Sequence, residues 1–195
     1  MEKYNIIYAD PPWKYERQKG EGVAADRYQT MAIQDIRSIP VDKIAADDAV
    51  LFLWVTFPKL REGLSVIDSW GFQYKTCAFN WIKQNPKSDS FFVGLGFWTR
   101  SCSEICLLAT KGHPHRASPN VRQLCIAHRM QHSKKPDEIR DRIVELCGDL
   151  PRIELFARER YEGWECIGNE IDGRDIREAI NALLCGDQQQ DRWNR

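Results

Sequence analysis

Hydrophobic residues in this chain come in short, nearly continuous runs that are separated by polar segments. Runs of this length, rich in β-branched and aromatic residues, predict β-strands. The run 49–55 contains no polar residue, as expected of a strand that is covered on both faces of a sheet. The predicted strands cover residues 4–9, 49–55, 73–83, 104–110, 152–157 and 164–169.

Between most of these runs, apolar residues recur every three or four positions, which predicts amphipathic helices. Pro40 ends the first of these helices and Gly71 ends the second. Because strands alternate with helices, the pattern predicts an α/β fold with a mostly parallel central sheet flanked by helices. The predicted helices cover residues 33–39, 59–70, 137–147 and 176–184.

Length and charge narrow the class of protein. A chain of 195 residues suits one domain; we expect this domain to span 1–173, followed by a short helix and a loose tail over 174–195. Basic and acidic residues number 28 each, which argues against a nucleic-acid binder that relies on bulk charge but leaves room for a local basic patch. No apolar run reaches the roughly 18 residues of a membrane span. The seven scattered cysteines predict reduced thiols in a cytoplasmic protein.

The most distinctive segment follows the first predicted strand, where the chain reads Asp10-Pro11-Pro12-Trp13. Prolines stop a β-ladder because they lack the N–H group, so they alone could serve only to end the strand. The carboxyl end of a strand is also where ligands bind in open α/β sheets. The motif therefore places a carboxylate, a backbone carbonyl and an aromatic ring where a ligand would lie.

This set of groups suits the exocyclic amine of a flat base. The lone pair of such an amine is delocalised into the ring, so the amine is a poor nucleophile. Asp10 and the carbonyl of Pro11 can accept its two hydrogens and draw the nitrogen toward tetrahedral geometry, while Trp13 can stack on the base. A methyl group could then be delivered from a sulfonium, with no metal ion required.

The motif and its neighbours resemble the MT-A70 family of adenine-N6 methyltransferases. Further segments of the chain are similar to that family in the same order, over about residues 4–173. The resemblance implies a Rossmann-like methyltransferase fold with circularly permuted motif order, in which the catalytic strand comes first and the cofactor-binding elements come last. The similar segments are residues 28–31, 51–56, 104–107, 135–139, 153–158 and 168–170, with Trp98 and Trp164.

The resemblance also implies roles for individual residues. S-adenosylmethionine is expected to contact Asp10, Lys135, Glu154, Arg158, Asn169 and Glu170. The catalytic residues are expected to be Asp10, Pro11, Pro12 and Trp13, and the substrate-binding residues Tyr28, Trp98, Arg100 and Glu104. The chain departs from the family by carrying Glu159-Arg160 where His-Asn is frequent, and Glu170 where Gln is frequent. Glu154 lies inside an apolar strand and needs a partner if it is buried.

The nature of the substrate and the catalytic status of the chain stay open at this point. The sequence has no appended RNA-binding segment, which favours DNA as the substrate over RNA. A cytosine-N4 methyltransferase and a non-catalytic binding subunit would also fit part of the pattern, and we expect a homodimer. The pairs His113/His115 and Cys102/Cys106 lack the spacing of a usual zinc site, so no metal is expected. The polar segments 14–32 and 111–134 are expected to close over the substrate.

Overall fold

A computed structural model describes residues 3–15, 30–96, 98–130 and 134–193, with side chains described up to residue 185. Tyr28 and most of the segment 14–32 lie outside these ranges, so their expected roles stay predictions. The helices are α1 (Ile33–Arg37), α2 (Val41–Ile44), α3 (Leu60–Ser69), α4 (Glu138–Cys147), α5 (Asn169–Asp172) and α6 (Ile176–Trp193). The last helix is longer than the sequence predicts, and it packs against the core through its first two turns.

The described residues form eight strands, six of which the sequence predicts. They are β1 (Tyr4–Ala9), β2 (Ala45–Val55), β3 (Gln73–Asn85), β4 (Ser88–Phe91), β5 (Ser103–Lys111), β6 (Leu124–His128), β7 (Arg152–Leu155) and β8 (Glu165–Ile167). The two strands that the sequence does not predict are β4 and β6. Every residue of β4 is exposed, and most of β6 is exposed as well, so neither has the apolar signal of a covered strand.

These strands form one mixed sheet in the order β4-β3-β5-β2-β1-β7-β8, with β6 paired to β3. Strand β5 runs antiparallel to both of its neighbours, and β4 runs antiparallel to β3. The expectation of a mostly parallel sheet is therefore wrong. In the described residues between β3 and β5 the chain forms β4 and loops but no crossover helix, and a return without a crossover makes neighbouring strands antiparallel.

Helices cover both faces of the sheet, which explains why residues 49–55 of the central strand β2 are apolar throughout. In β2, Leu51, Leu53 and Val55 pack toward α1, α3 and α6, whereas Phe52 and Trp54 pack toward α4. Alternate residues of a strand point to opposite faces, so a strand between two helical layers has no solvent-facing position. No helix within the described ranges is long and apolar enough to cross a membrane. All seven cysteines are free thiols, and Cys185 is exposed.

Candidate active site

The carboxyl ends of three neighbouring parallel strands bring together residues that are far apart in the sequence. Asp10 directly follows β1, Arg158 follows β7, and Asn169 begins α5 directly after β8 and Gly168. In the sheet, Ala9 pairs with Leu155 of β7, and Leu155 pairs with Ile167 of β8. Because these strands are parallel, the residues that follow them lie along one edge of the sheet.

Asp10 belongs to a largely buried network of four charged side chains. The ammonium of Lys135 lies 2.7 Å from Oδ2 of Asp10 and 3.2 Å from Oε2 of Glu104. The ammonium of Lys83 binds the other carboxylate oxygen of Glu104. Lys135 and Glu104 are only 8% and 9% exposed, and buried charges persist when they are paired in this way. Two ammonium groups balance two carboxylates, so the network is neutral as a whole.

The network moves the pKa values of its two carboxyl groups in opposite directions. Burial raises the pKa of Asp10, and the nearby Lys135 only partly opposes this rise. Burial also favours a higher pKa for Glu104, but Lys135 and Lys83 together lower it to about 2. The pKa of Lys135 is raised, since Asp10 and Glu104 outweigh the effect of burial. Glu104 is therefore a permanent anion near neutral pH, while Asp10 is the better proton acceptor.

The motif that contains Asp10 is a tight turn fixed by hydrogen bonds. The main-chain N–H of Trp13 donates to the carbonyl of Pro11 (2.9 Å), and the N–H of Met31 donates to the carbonyl of Pro12 (2.9 Å). The indole N–H of Trp13 donates to the carbonyl of Trp54 (3.1 Å). Trp13 is 8% exposed and packs in the core, so it anchors the turn and offers little ring surface to a base. The carbonyl of Pro11 keeps a second lone pair for another donor.

Glu154 in β7 has the partner that its burial requires. Arg140 of α4 donates from Nε and from one terminal nitrogen to the two carboxylate oxygens of Glu154, at 2.7 and 2.8 Å. Burial raises the pKa of Glu154 and Arg140 opposes the rise. The expected contact between Glu154 and the cofactor stays a prediction, with carboxylate lone pairs still open to a hydroxyl donor.

In the turn after β7, the main chain approaches the main chain at Gly168 closely. Phe156 has φ 64°, a left-handed conformation that glycine usually adopts. A Cβ on Gly168, after β8, would lie 2.4 Å from the carbonyl oxygen of Ala157, so only glycine fits there. Beside this turn, Nε of Arg158 lies 3.6 Å from a carboxylate oxygen of Glu170. No Gly-x-Gly turn of the kind found in many cofactor sites follows β7 in the sequence, and Phe156 makes the left-handed turn there.

Two other expected substrate-binding residues are also described by the structure. Trp98 and Arg100 lie in the segment that follows β4, and Trp98 is 98% exposed. The guanidinium of Arg100 donates to the carbonyls of Gly94 (2.6 Å) and Val93 (3.4 Å). The structure thus brings Glu104 to Asp10, whereas the substrate contacts expected of Trp98 and Arg100 stay predictions. Within the described ranges, no group of three or more potential metal-ligating side chains occurs.

Sequence reasoning missed three residues of the site. Lys83 and Arg140 are the partners of Glu104 and Glu154, and a buried acid in an apolar strand is the only signal for them. Tyr15 is the third, and its hydroxyl lies 2.7 Å from Oγ1 of Thr56 at the end of β2. In the sequence, Tyr15 is marked only by its position two residues after Trp13 of the catalytic motif.

Comparison with known proteins identifies the family of this chain. The MT-A70 family model matches residues 4–170. The chain is 37% identical to the type II methyltransferase M.MunI of a Mycoplasma species, over 89% of this chain and 80% of that protein. It is 28% identical to the N(6)-adenosine-methyltransferase MT-A70-like of Arabidopsis thaliana and 29% identical to the N(6)-adenosine-methyltransferase catalytic subunit METTL3 of Homo sapiens, but spans only 25% and 29% of their lengths. The chain therefore belongs to the MT-A70 family of methyltransferases.

Proposed function

We propose that this protein transfers the methyl group of S-adenosylmethionine to the N6 amine of adenine in DNA. The observation that carries the proposal is the partly buried carboxylate of Asp10 beside the carbonyl of Pro11, at the carboxyl end of β1. These two acceptors match the two hydrogens of an exocyclic amine. The chain's relatives, named as N(6)-adenosine-methyltransferases, support adenine N6 as the acceptor over cytosine N4.

The residues at this edge of the sheet fit S-adenosylmethionine. Lys135 would hold the methionine carboxylate, Glu154 and Arg158 the ribose hydroxyls, and Asn169 with Glu170 the ribose or the adenine edge. The close approach of Gly168 to Ala157 fits a site where a ligand lies against the main chain. When bound, S-adenosylmethionine supplies a methyl group on a positively charged sulfonium. The pairing of β1 with β7 supports the permuted order, since the first strand of the chain neighbours a late one.

The side chains of the protein prepare the amine for attack. Asp10 accepts one hydrogen of the amine and Pro11 accepts the other, which reduces delocalisation of the nitrogen lone pair into the ring. Lys135 and Glu104 hold the carboxylate of Asp10 in place through the contacts at 2.7 and 3.2 Å. The amine must lose one proton after methylation, and the raised pKa of Asp10 suits it to take that proton.

Similarity to the type II methyltransferase favours DNA over RNA as the substrate. That protein matches this chain with a higher identity than the two N(6)-adenosine-methyltransferases, and the match covers most of its own length. Type II is a designation of restriction–modification systems, which act on DNA. RNA adenine is the alternative, supported by the relatives that are named for N(6)-adenosine. A non-catalytic subunit is disfavoured because Asp10 and Trp13 are both present.

The homodimer expected from the sequence stays a prediction that sedimentation velocity would test.

Nucleoside mass spectrometry tests the proposal directly. Plasmid DNA and an RNA transcript are each incubated with the protein and S-adenosylmethionine carrying a deuterated methyl group, then digested. We expect labelled N6-methyl-deoxyadenosine from DNA, and none from the isosteric Asp10→Asn variant. Label in N6-methyladenosine from RNA alone would overturn the DNA assignment, and label in neither would overturn the enzyme assignment.

A further inference from the structure

Among the described residues, the aromatic ring of the catalytic motif offers little surface for the target base. Trp13 of the catalytic motif is 8% exposed and packs in the core. Trp98 is 98% exposed and lies in the segment between β4 and β5. Enzymes that act on a base removed from its stack hold it against aromatic or apolar side chains. A second, exposed ring beside the catalytic turn would supply this surface.

We propose that Tyr15 supplies the aromatic face that stacks on the target adenine, and that Trp13 serves to anchor the turn. This inference rests on the proposed function and names the residue that positions its substrate. Tyr15 lies five residues after Asp10, on the chain that leaves the catalytic turn. It is 46% exposed, which leaves ring surface for a ligand.

The position of the Tyr15 ring is fixed at its hydroxyl end. This hydroxyl lies 2.7 Å from Oγ1 of Thr56, the residue that follows β2. Strand β2 pairs in parallel with β1, so Thr56 and Asp10 follow the carboxyl ends of adjacent strands. The hydrogen bond thus ties the ring to the same edge of the sheet as the Asp10 carboxylate. A ring held at one end loses little conformational freedom when a base stacks on it.

A cation lies over one face of the Tyr15 ring. The ammonium of Lys59 lies over the ring, 5.6 Å from its centroid, and is itself held by a carboxylate oxygen of Glu62 at 2.8 Å. An aromatic ring has a second face, and the 46% exposure of Tyr15 leaves that face open to a flat ligand. A base on one face and a cation on the other is a favourable arrangement for a π-system.

Tyr15 is close enough to the charged network of Asp10, Glu104 and Lys135 for these groups to affect its pKa. Burial of its hydroxyl end raises the pKa of Tyr15, and the hydrogen bond with Thr56 partly opposes the rise. Smaller electrostatic effects on this pKa come from Glu104, Lys135 and Asp10, which are members of the charged network. The phenol therefore stays neutral at neutral pH, and it does not add a negative charge that would repel DNA.

The test uses the full chain, S-adenosylmethionine and a DNA duplex whose methylated adenine has been mapped by sequencing. Tyr15→Ala should lower kcat/KM for this duplex by about 5- to 150-fold, the range expected for loss of one base–aromatic stack. Tyr15→Phe keeps the ring and should stay within a few fold of the parent. Tyr74→Ala is the matched control, because Tyr74 is a 43% exposed tyrosine that pairs with Ala109, nearer the other end of the sheet.

A fluorescence measurement separates stacking from a structural role. The target adenine is replaced by 2-aminopurine, whose emission rises when it leaves the DNA stack and falls when it stacks on a ring. Bound to the Tyr15→Ala protein, this duplex should be brighter than when bound to the parent or to Tyr15→Phe. Affinity for S-adenosylmethionine should be the same in all of these proteins.

The outcomes distinguish the inference from the proposed function. If the parent methylates the duplex but Tyr15→Ala shows the same kcat/KM and the same 2-aminopurine emission, the stacking role of Tyr15 is wrong and the enzyme assignment stands. If Tyr15→Phe loses as much activity as Tyr15→Ala, the hydroxyl and not the ring is what matters, and the inference is also wrong. If the parent methylates no nucleic acid, the proposed function itself fails.

Discussion

Asp10 and Glu104 contact the same ammonium group, yet their pKa values move in opposite directions. Glu104 lies between two lysines, which lower its pKa to about 2 despite its burial. Asp10 has one lysine beside it, and the negative charge of Glu104 adds to the effect of burial in raising its pKa. As an anion, Glu104 therefore stabilises the network. The ionised form of Asp10 is destabilised by burial and by Glu104, and the resulting higher proton affinity is what its proposed chemistry requires.

This difference predicts the stability of a Glu104 variant. Glu104→Gln should lower the free energy of unfolding at pH 7 by about 3 kcal/mol, because two largely buried ammonium groups lose a partner. A lowered pKa contributes stability above the unfolded value of 4.5, and this contribution is lost as the pH falls toward 2. In urea titrations, the difference between the parent and the variant should therefore shrink over that pH window.

The matched control is Glu62→Gln. Glu62 has a lowered pKa through its bond to Lys59, but the side chain is 32% exposed. An exposed pair contributes no more than about 1 kcal/mol. Equal losses in both variants, or a Glu104→Gln loss that does not change with pH, would contradict the network described here.

Cofactor contacts can be tested at Asn169, which is exposed at the first position of α5. Asn169→Ala should weaken S-adenosylmethionine binding by about 1–3 kcal/mol, the cost of leaving a hydrogen-bonding partner unsatisfied. Its unfolding midpoint should stay close to that of the parent. Isothermal calorimetry measures the binding, with Asn120→Ala in the loop before β6 as a control. Unchanged affinity in Asn169→Ala would remove this residue from the cofactor site.

At the level of elements, the sequence identifies most strands but not their directions. The apolar run before Thr110 predicts β5, yet an apolar strand reads the same whether its neighbours are parallel or antiparallel. Because β5 is antiparallel to β2, its first residues and not its last ones lie beside Asp10. Glu104 therefore reaches the site, whereas Lys111 pairs with Ala49 at the opposite edge. Lys111, the first residue of the segment 111–134, is therefore not placed over the substrate site, contrary to the expectation for this segment.

The candidate site was predictable where a short motif and a strand end coincide. Asp10 follows an apolar strand and precedes two prolines, and the position of each of these residues is evident in the sequence. The partners of the buried acids were not predictable, because Lys83 and Arg140 reach them through pairings between distant strands and helices. Sequence shows that a buried carboxylate needs a cation, but only the fold decides which cation it is.

The turn after β7 offers a test of backbone strain. Phe156→Ala and Phe156→Gly both remove the ring, but alanine keeps the cost of the left-handed conformation at φ 64°. That cost is about 1–2 kcal/mol, and the entropy of glycine offsets part of it. Phe156→Gly should therefore be more stable than Phe156→Ala by about 0.5–1 kcal/mol in chemical denaturation.

The opposite order is expected inside a helix. At Arg61 in α3, the glycine variant should be less stable than the alanine variant by about 1 kcal/mol, because glycine is a poor helix former. If alanine is favoured over glycine at position 156 as well, the left-handed turn does not strain the chain.

Considered as a whole, the molecule is electrically neutral, and this limits how it can hold DNA. With 28 basic and 28 acidic residues, attraction to phosphates must come from local groups. Many of the described basic side chains are already paired, as Lys134 is with Asp137 and Glu159. We therefore expect few phosphate contacts and a larger share of binding from the base in the site.

The salt dependence of DNA binding tests this view. A plot of log K against log salt concentration should have a slope between about −2 and −4, corresponding to a few displaced counterions. Arg100→Gln should make the slope less steep by about one unit if this expected substrate-binding residue contacts a phosphate. Lys3→Gln should leave it unchanged, because Lys3 precedes β1 at the opposite edge of the sheet and lies 3.8 Å from Asp47. A slope much steeper than −4, insensitive to Arg100, would mean that bulk electrostatics dominate and that the base contributes little.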